Sequence, residues 1–366
     1  MHSFSYIIWS PDPAIFVIPG LDHPIVWYGL LFALGFIISQ QVMMWIFRKD
    51  GKPDKDVEKL TVYMVLATII GARLGHCLFY DPGYYLSNPI QILKIWEGGL
   101  ASHGGAIGII FSLYLFSRRM PYSFFWITDR IAIVVCLTGF LIRSGNLMNS
   151  EMEGLETKAN YGLVYGRYTE SFLSIDEDVE SVDFRKRDAV NSEQAGRVPI
   201  TAVVQYKEGV KFDLTKQQSV EGRIAQSLNS REKIRQHIDF GGLPLNYRVY
   251  ENTNGQAIVE IYGTGIVRHA SQMYEAVFYL LLMVVLFWLW YKKRDKIPAG
   301  FNFCMFLIVL WSGRFLLENF KMNQVDFEEG MTLNMGQWLS VPLVLSGIVL
   351  LIWTYKRKDF KTMREG

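Results

Sequence analysis

Long apolar runs alternate with short basic links along most of the chain. The apolar runs fall at residues 25–47, 57–80, 102–116, 124–148, 272–291, 300–320 and 336–355. Most approach the ~20 residues that carry a helix across a ~30 Å hydrocarbon core. The third is short and glycine-rich. The pattern predicts an α-helical polytopic membrane protein with about seven transmembrane helices. It changes between residues 155 and 268, where charge density is high (DEDVESVDFRKRD, REKIRQH). Alternating stretches at 200–206 and 256–262 suggest strands there. Asn254-Gly255, between 247–250 and 258–261, predicts a hairpin, and Gly241-Gly242 marks another turn. This stretch is therefore expected to be an inserted β-rich or α+β head. The domains follow: 1–154 with spans one to four, 155–268 as the head, and 269–366 with spans five to seven and a tail.

Charge orients the spans. Arg48, Lys49, Lys52 and Lys55 follow the first, Arg118 and Arg119 the third, and Lys292, Lys293, Arg294 and Lys296 the fifth. Lys356, Arg357, Lys358 and Lys361 follow the seventh. The intervening links are poor in basic residues: 81–99 carries only Lys94, and 321–335 only Lys321. Basic links stay in the cytoplasm. The expectation is an N-terminus and head outside, and a cytoplasmic C-terminus. Composition agrees, with 50% hydrophobic and 14% aromatic residues. A net charge of +2 gives no field for nucleic acid. The start, MHSFSYIIWSPDP, lacks a signal-peptide pattern. Cys77, Cys136 and Cys304 sit in apolar runs, with no metal or disulfide pattern. No metal or cofactor is expected.

Polar residues at the ends of apolar runs carry the candidate chemistry, because they are expensive to desolvate. The stretch 143–154, RSGNLMNSEMEG, places Arg143, Asn146, Asn149 and Glu151 at the end of span four. Arg143 and Asn146 are three apart and share a helix face. His103 lies among glycines in GGLASHGGAIG. It reads either as a general base or as an interfacial residue in a helix-packing glycine patch. Arg314 and Glu318 are four apart, as an intrahelical pair or as an arginine held toward a phosphate. Arg73 either snorkels or pairs with a carboxylate such as Asp129. Ser271 fits an N-cap, with Tyr274 and Glu275 in the following turn. Trp27-Tyr28-Gly29 is an aromatic anchor, or Tyr28 a hydroxyl donor to a headgroup.

Together these pieces resemble the prolipoprotein diacylglyceryl transferases of bacteria. The matching segments are WYGL at 27–30, GARLG at 71–75, SHGGAIG at 102–108, RSGNLMNSEMEG at 143–154, RHASQMYE at 268–275, GRFLLENF at 313–320 and MGQWLSVP at 335–342. The family pattern, approximately GRxGNxxNxExxG, is met by Arg143, Gly145, Asn146, Asn149, Glu151 and Gly154. Ile142 stands where the family usually has glycine, and the head is longer than is typical. The resemblance implies transfer of the diacylglyceryl group of phosphatidylglycerol to the lipobox cysteine thiol of a preprolipoprotein, forming a thioether and releasing glycerol phosphate. It implies a multi-pass protein of the bacterial cytoplasmic (inner) membrane. It makes His103, Arg143 and Arg314 the catalytic candidates. Tyr28, Arg143, Asn146, Asn149, Glu151, Gly154 and Glu318 become the phosphatidylglycerol-binding candidates. A transporter or flippase would instead spread polar residues through the membrane depth and show repeat symmetry. A structural assembly protein would leave both arginine sets unexplained.

Overall fold

The computed structural model describes residues 5–19, 23–159, 161–187, 194–322, 328 and 330–356. The chain forms two compact units, each built from separated stretches. One comprises Leu31–Ile142, Ala276–Leu316 and Leu333–Gly366; the other comprises Met1–Leu30, Arg143–Glu275 and Leu317–Thr332. Among the described residues there are seven longer helices: α1 (Trp27–Lys49), α2 (Asp54–Phe79), α3 (Ser102–Arg119), α4 (Phe124–Met148), α5 (Ser271–Lys293), α6 (Phe301–Leu317) and α7 (Met335–Lys356). All except α3 are long and apolar enough to cross a membrane, with α6 counted through the 3-10 turn Glu318–Phe320. The glycine-rich α3 has 18 residues and falls outside those six, so seven spans is an approximate count.

In the helical unit, Ile46 and Phe47, Phe116, Ile127 and Ile133, and Leu286 and Trp290 interlock in one buried cluster. Lipid is as apolar as these side chains, so close packing rather than water exclusion holds such helices together. Small residues provide the closest approach. A Cβ on Gly104 would stand 2.3 Å from the Gly71 carbonyl oxygen, and one on Gly108 would stand 2.4 Å from that of Ala67. The glycines of α2 and α3 thus serve helix contact.

Buried charges in this unit are each answered. Arg130 pairs with Asp50 at 2.7 Å, both 7% exposed, and stacks 3.6 Å from the Trp126 ring. Removing either partner of such a pair costs about 3–5 kcal/mol. The Asp129 carboxylate accepts from the N–H of Gly300 at 2.7 Å and of Phe303 at 2.9 Å. It thereby satisfies first-turn donors of α6 that have no partner within the helix. The expected Arg73–Asp129 pairing does not form. Arg73 instead donates to the carbonyls of Ile92 (2.9 Å), Gln91 (2.5 Å) and Gly98 (2.5 Å), folding residues 91–98 against α2.

The second unit has an antiparallel sheet. Its strands are β1 (Ser5–Trp9), β2 (Ala14–Ile18), β3 (His23–Val26), β4 (Tyr161–Tyr165), β5 (Val179–Lys186), β6 (Arg197–Tyr206), β7 (Ile238–Asp239), β8 (Tyr247–Glu251) and β9 (Ala257–Ile266). The sheet order is β5-β6-β9-β7, with β8 also on β9, and β2 pairs with β3 as a separate hairpin. The β8–β9 pair realises the hairpin expected at Asn254-Gly255. Val198, Ile200, Ala202, Val204 and Tyr206 of β6 are buried at every second position. That spacing puts them on one face of the sheet. Leu228 and Ile234, from the short helices Ala225–Ser230 and Glu232–Arg235, join the same buried cluster, so the unit is α+β. β1 pairs in parallel with β4, Ser5 opposite Tyr161 and Trp9 opposite Tyr165.

Candidate active site

In the sheet-bearing unit the chain leaves α4 through a turn that its own sequence would not hold. The indole N–H of Trp9 donates to the Leu147 carbonyl at 2.8 Å, and the Glu151 N–H donates to that of Asn146 at 2.9 Å, closing the helix end. Ser150 (φ 52°) and Met152 (φ 57°) then adopt left-handed backbone, although neither is glycine. Such residues cost roughly 1–3 kcal/mol each and persist only when their surroundings fix them. Here five consecutive carbonyls are each held by a different donor. The Tyr168 hydroxyl donates to Ser150 (3.5 Å), the Gln272 amide to Glu151 (2.6 Å) and the Ser271 hydroxyl to Met152 (2.8 Å). The Met322 N–H donates to Glu153 (3.0 Å) and the Arg268 guanidinium to Gly154 (3.1 Å). Ser271 therefore does not cap α5. It is that helix's first residue and its hydroxyl serves the turn.

The turn presents the expected polar set. Asn146 and Asn149 both donate to Glu151, each at 3.1 Å, so one carboxylate joins two amides. Arg143 donates to the Asn146 side-chain oxygen at 3.3 Å and approaches the Met152 sulfur at 2.6 Å. Its Nε forms an ion pair with Glu275, whose side chain is 4% exposed against 11% for Arg143. Tyr28 packs over Gly145, where a Cβ would stand 3.0 Å from the Tyr28 Cα. At Gly154 a close approach is the reason for glycine. A Cβ would stand 2.1 Å from the His269 carbonyl oxygen. Glu318 lies beyond the end of α6, in the 3-10 turn, and pairs with Lys321 at 3.5 Å.

Burial tunes the groups behind this surface. Tyr168 is pushed up to about 12 by burial, reinforced by the Glu153 charge. Burial lowers Arg268, an effect opposed by Glu153 and Glu156. Burial also lowers His269, which favours the neutral imidazole, whose Nδ1 lies 3.4 Å from the Tyr274 hydroxyl. The other two catalytic candidates belong to the helical unit. His103 is exposed on α3, with the Phe79 ring 5.2 Å and the Tyr80 ring 6.1 Å away. The Arg314 guanidinium lies 5.6 Å from the Trp311 ring.

The family model of prolipoprotein diacylglyceryl transferase matches residues 13–353. The chain belongs to the prolipoprotein diacylglyceryl transferase family. Proteins carrying the name phosphatidylglycerol–prolipoprotein diacylglyceryl transferase align along nearly its whole length. That of Porphyromonas gingivalis is 35% identical over 363 residues, 96% of each chain. That of Tolumonas auensis is 34% identical over 354 residues, 96% of this chain and 99% of its own. That of Chloroherpeton thalassium is 30% identical over 365 residues, 99% of each.

Several members of the site escaped the reading of the sequence. Glu275 was taken as a first-turn residue of α5; the available signal was a carboxylate in an apolar run, which needs a cation. Glu153, His237 and Tyr168 carried no spacing signal, because they meet only through the folded head. Arg268 and Gln272 stood in a matched segment, but their acceptors are backbone carbonyls.

Proposed function

We propose that this protein transfers the diacylglyceryl group of phosphatidylglycerol to the cysteine thiol of a prolipoprotein. Family membership supports the reaction. The observation that carries the site is the Arg143–Glu275 pair joined through Asn146 to Glu151 and Asn149. A guanidinium has five N–H donors, more than the three groups that Arg143 contacts here, so it can still take a phosphate oxygen. Asn146, Asn149 and Glu151 present amide and carboxylate groups suited to glycerol hydroxyls, and Tyr28 lies beside them. Glu318, paired with Lys321, belongs to the same proposed headgroup-binding set, with Gly154 admitting the close backbone approach.

The reaction is a displacement at the glycerol carbon that bears the phosphate. The cysteine sulfur forms the C–S bond, the C–O bond to phosphate breaks, and glycerol phosphate leaves with the bonding pair. A free thiol, with pKa ~8.5, is mostly protonated at neutral pH and needs a proton acceptor. His103 is our proposed acceptor. Arg143 and Arg314 are the proposed cations that stabilise charge on the departing phosphate. The lipobox cysteine is the proposed acceptor thiol. The bacterial inner membrane is the proposed location, with the N-terminus and head outside and the C-terminus in the cytoplasm, supported by the basic links. A transporter is disfavoured because the relatives named above are all transferases.

The test combines purified protein, phosphatidylglycerol and a lipobox peptide. Thioether product is expected with the cysteine peptide and none with its Cys→Ser form. Absence of product under conditions where a known member of the family works sinks the proposal. Full activity in Arg143→Ala removes the phosphate contact, and near-normal turnover in His103→Gln removes the base.

A further inference from the structure

The head does more than sit beside the polar turn, because two of its side chains reach into it. Tyr168, from the short helix Arg167–Leu173, donates to the Ser150 carbonyl at 3.5 Å. His237, just before β7, bonds through Nε2 to the Glu153 carboxylate. Its other nitrogen, Nδ1, lies 2.6 Å from the Lys233 carbonyl, which fixes the ring plane. The two rings pack at 5.1 Å, and a third ring, Tyr165, meets His237 at 5.8 Å. His237 is 2% exposed and Glu153 is 8% exposed. Next to His237, the Gln236 carbonyl accepts from Arg268 at 2.5 Å, and Arg268 in turn holds the Gly154 carbonyl. Residues 236–237 thus grip both Glu153 and the backbone of its neighbour.

We propose that His237, acting through Glu153 and backed by Tyr168, is a positioning element for the Ser150–Gly154 turn. The head insertion is thereby part of the scaffold that aims Asn146, Asn149 and Glu151 at the lipid headgroup. The inference rests on the transferase reading for the identity of that ligand. It does not rest on it for the mechanics of the turn. The side chains that present the headgroup surface extend from the last turn of α4 and the residues just after it, and the two left-handed residues, Ser150 and Met152, flank Glu151 where regular structure has ended. The strength of that hold is set by the donors around it. Of these, the His237–Glu153 contact joins a buried side chain of the head to a side chain of the turn.

The experiment uses the full chain in phosphatidylglycerol-containing vesicles. Backbone hydrogen exchange is followed at residues 150–155, and steady-state transfer to a cysteine peptide is measured in parallel. His237→Ala and Glu153→Ala are each expected to speed exchange in the turn and raise KM for phosphatidylglycerol about tenfold, with kcat within a few-fold of wild type. The double variant should be no worse than Glu153→Ala alone, because the His237 contact is already lost there. His237→Gln keeps a donor near the Nε2 position and should recover most of the loss. Tyr168→Phe, which keeps the ring, should give a smaller change of the same kind. The proposal is overturned by unchanged exchange and KM in both alanine variants, by strictly additive losses, or by a fall in Tm that carries kcat and KM down together without rescue by glutamine. If wild type makes no thioether, the transferase reading falls, and the exchange data still decide whether His237 fixes the turn.

Discussion

The Glu275→Gln substitution isolates the charge in the Arg143 pair while keeping the side chain's shape. Arg143 and Glu275 are 11% and 4% exposed, so water screens neither strongly. Breaking a buried pair by removing one partner costs about 3–5 kcal/mol, largely because the other charge stays buried. Glutamine retains one acceptor, worth about 1–1.5 kcal/mol, which leaves roughly 2–4 kcal/mol unrecovered. The guanidinium would then be held by neutral acceptors alone, the glutamine oxygen, the Asn146 oxygen and the Met152 sulfur, and its aim would loosen. We expect kcat/KM to fall about a hundredfold, corresponding to ~2.7 kcal/mol at the transition state. Thermal unfolding should shift downward in the same protein. The assay is a double-mutant cycle with Arg143→Ala, scored by thioether formation and by Tm. In the Arg143→Ala background the glutamine change should cost little, since its cation is already gone. An equal loss in both backgrounds would refute the idea that Glu275 works through Arg143.

Three other changes test separate parts of the structure. Gly154→Ala places a methyl 2.1 Å from the His269 carbonyl oxygen, so backbone must move; transfer activity is expected to drop at least tenfold, by about 1.4 kcal/mol or more, in a chain that still inserts into membranes. Gly104→Ala meets the Gly71 carbonyl oxygen at 2.3 Å and should destabilise the α2–α3 contact by about 1–3 kcal/mol, read as a lower Tm in detergent. In the head, burial raises the Asp176 pKa, but hydrogen bonds from Lys216 and the Asp178 N–H bring it below the ordinary value. A depressed carboxyl contributes stability above its unfolded pKa of ~3.9 and loses it as pH falls through the folded value. Lys216→Met should therefore be less stable than wild type near pH 6, with the gap closing below about pH 4 in acid unfolding monitored by tryptophan fluorescence.

The helices were legible because lipid imposes a length and a composition on each span. Much of the head was legible too, since the alternation at 200–206 and the Asn-Gly turn are local signals. What did not show were contacts whose partners lie far apart in the chain. The pairing of β1 with β4 joins residue 5 to residue 161, and nothing in either strand names the other. Arg73 resembled half of an ion pair, but its acceptors are carbonyls, which every residue possesses. Asp129 looked available to Arg73, yet it caps α6 from a helix some 170 residues earlier in sequence. Within the site, Arg143, Asn146, Asn149 and Glu151 were legible as polar residues at an apolar edge. Their supporters were not, because a donor to a backbone carbonyl carries no spacing rule.

That contrast explains why the site is assembled from scattered stretches. A turn with two non-glycine left-handed residues could have been built with glycines, which adopt this backbone without a steric cost. Glycines would also leave the turn free to relax elsewhere. Side chains at 150 and 152 narrow the choices, and five external donors then select one conformation. Those donors come from 168, 268, 271–272 and 322, so the turn forms only after these segments have come together. Orientation of Asn146, Asn149 and Glu151 is thus a property of the folded unit rather than of the residues 143–154. The same reasoning gives the head a use that its distance in sequence conceals. It supplies Tyr168 and His237, and Arg268 bonds the Gln236 carbonyl on the return to α5. A head that merely docked a partner would not need to place buried side chains against the turn.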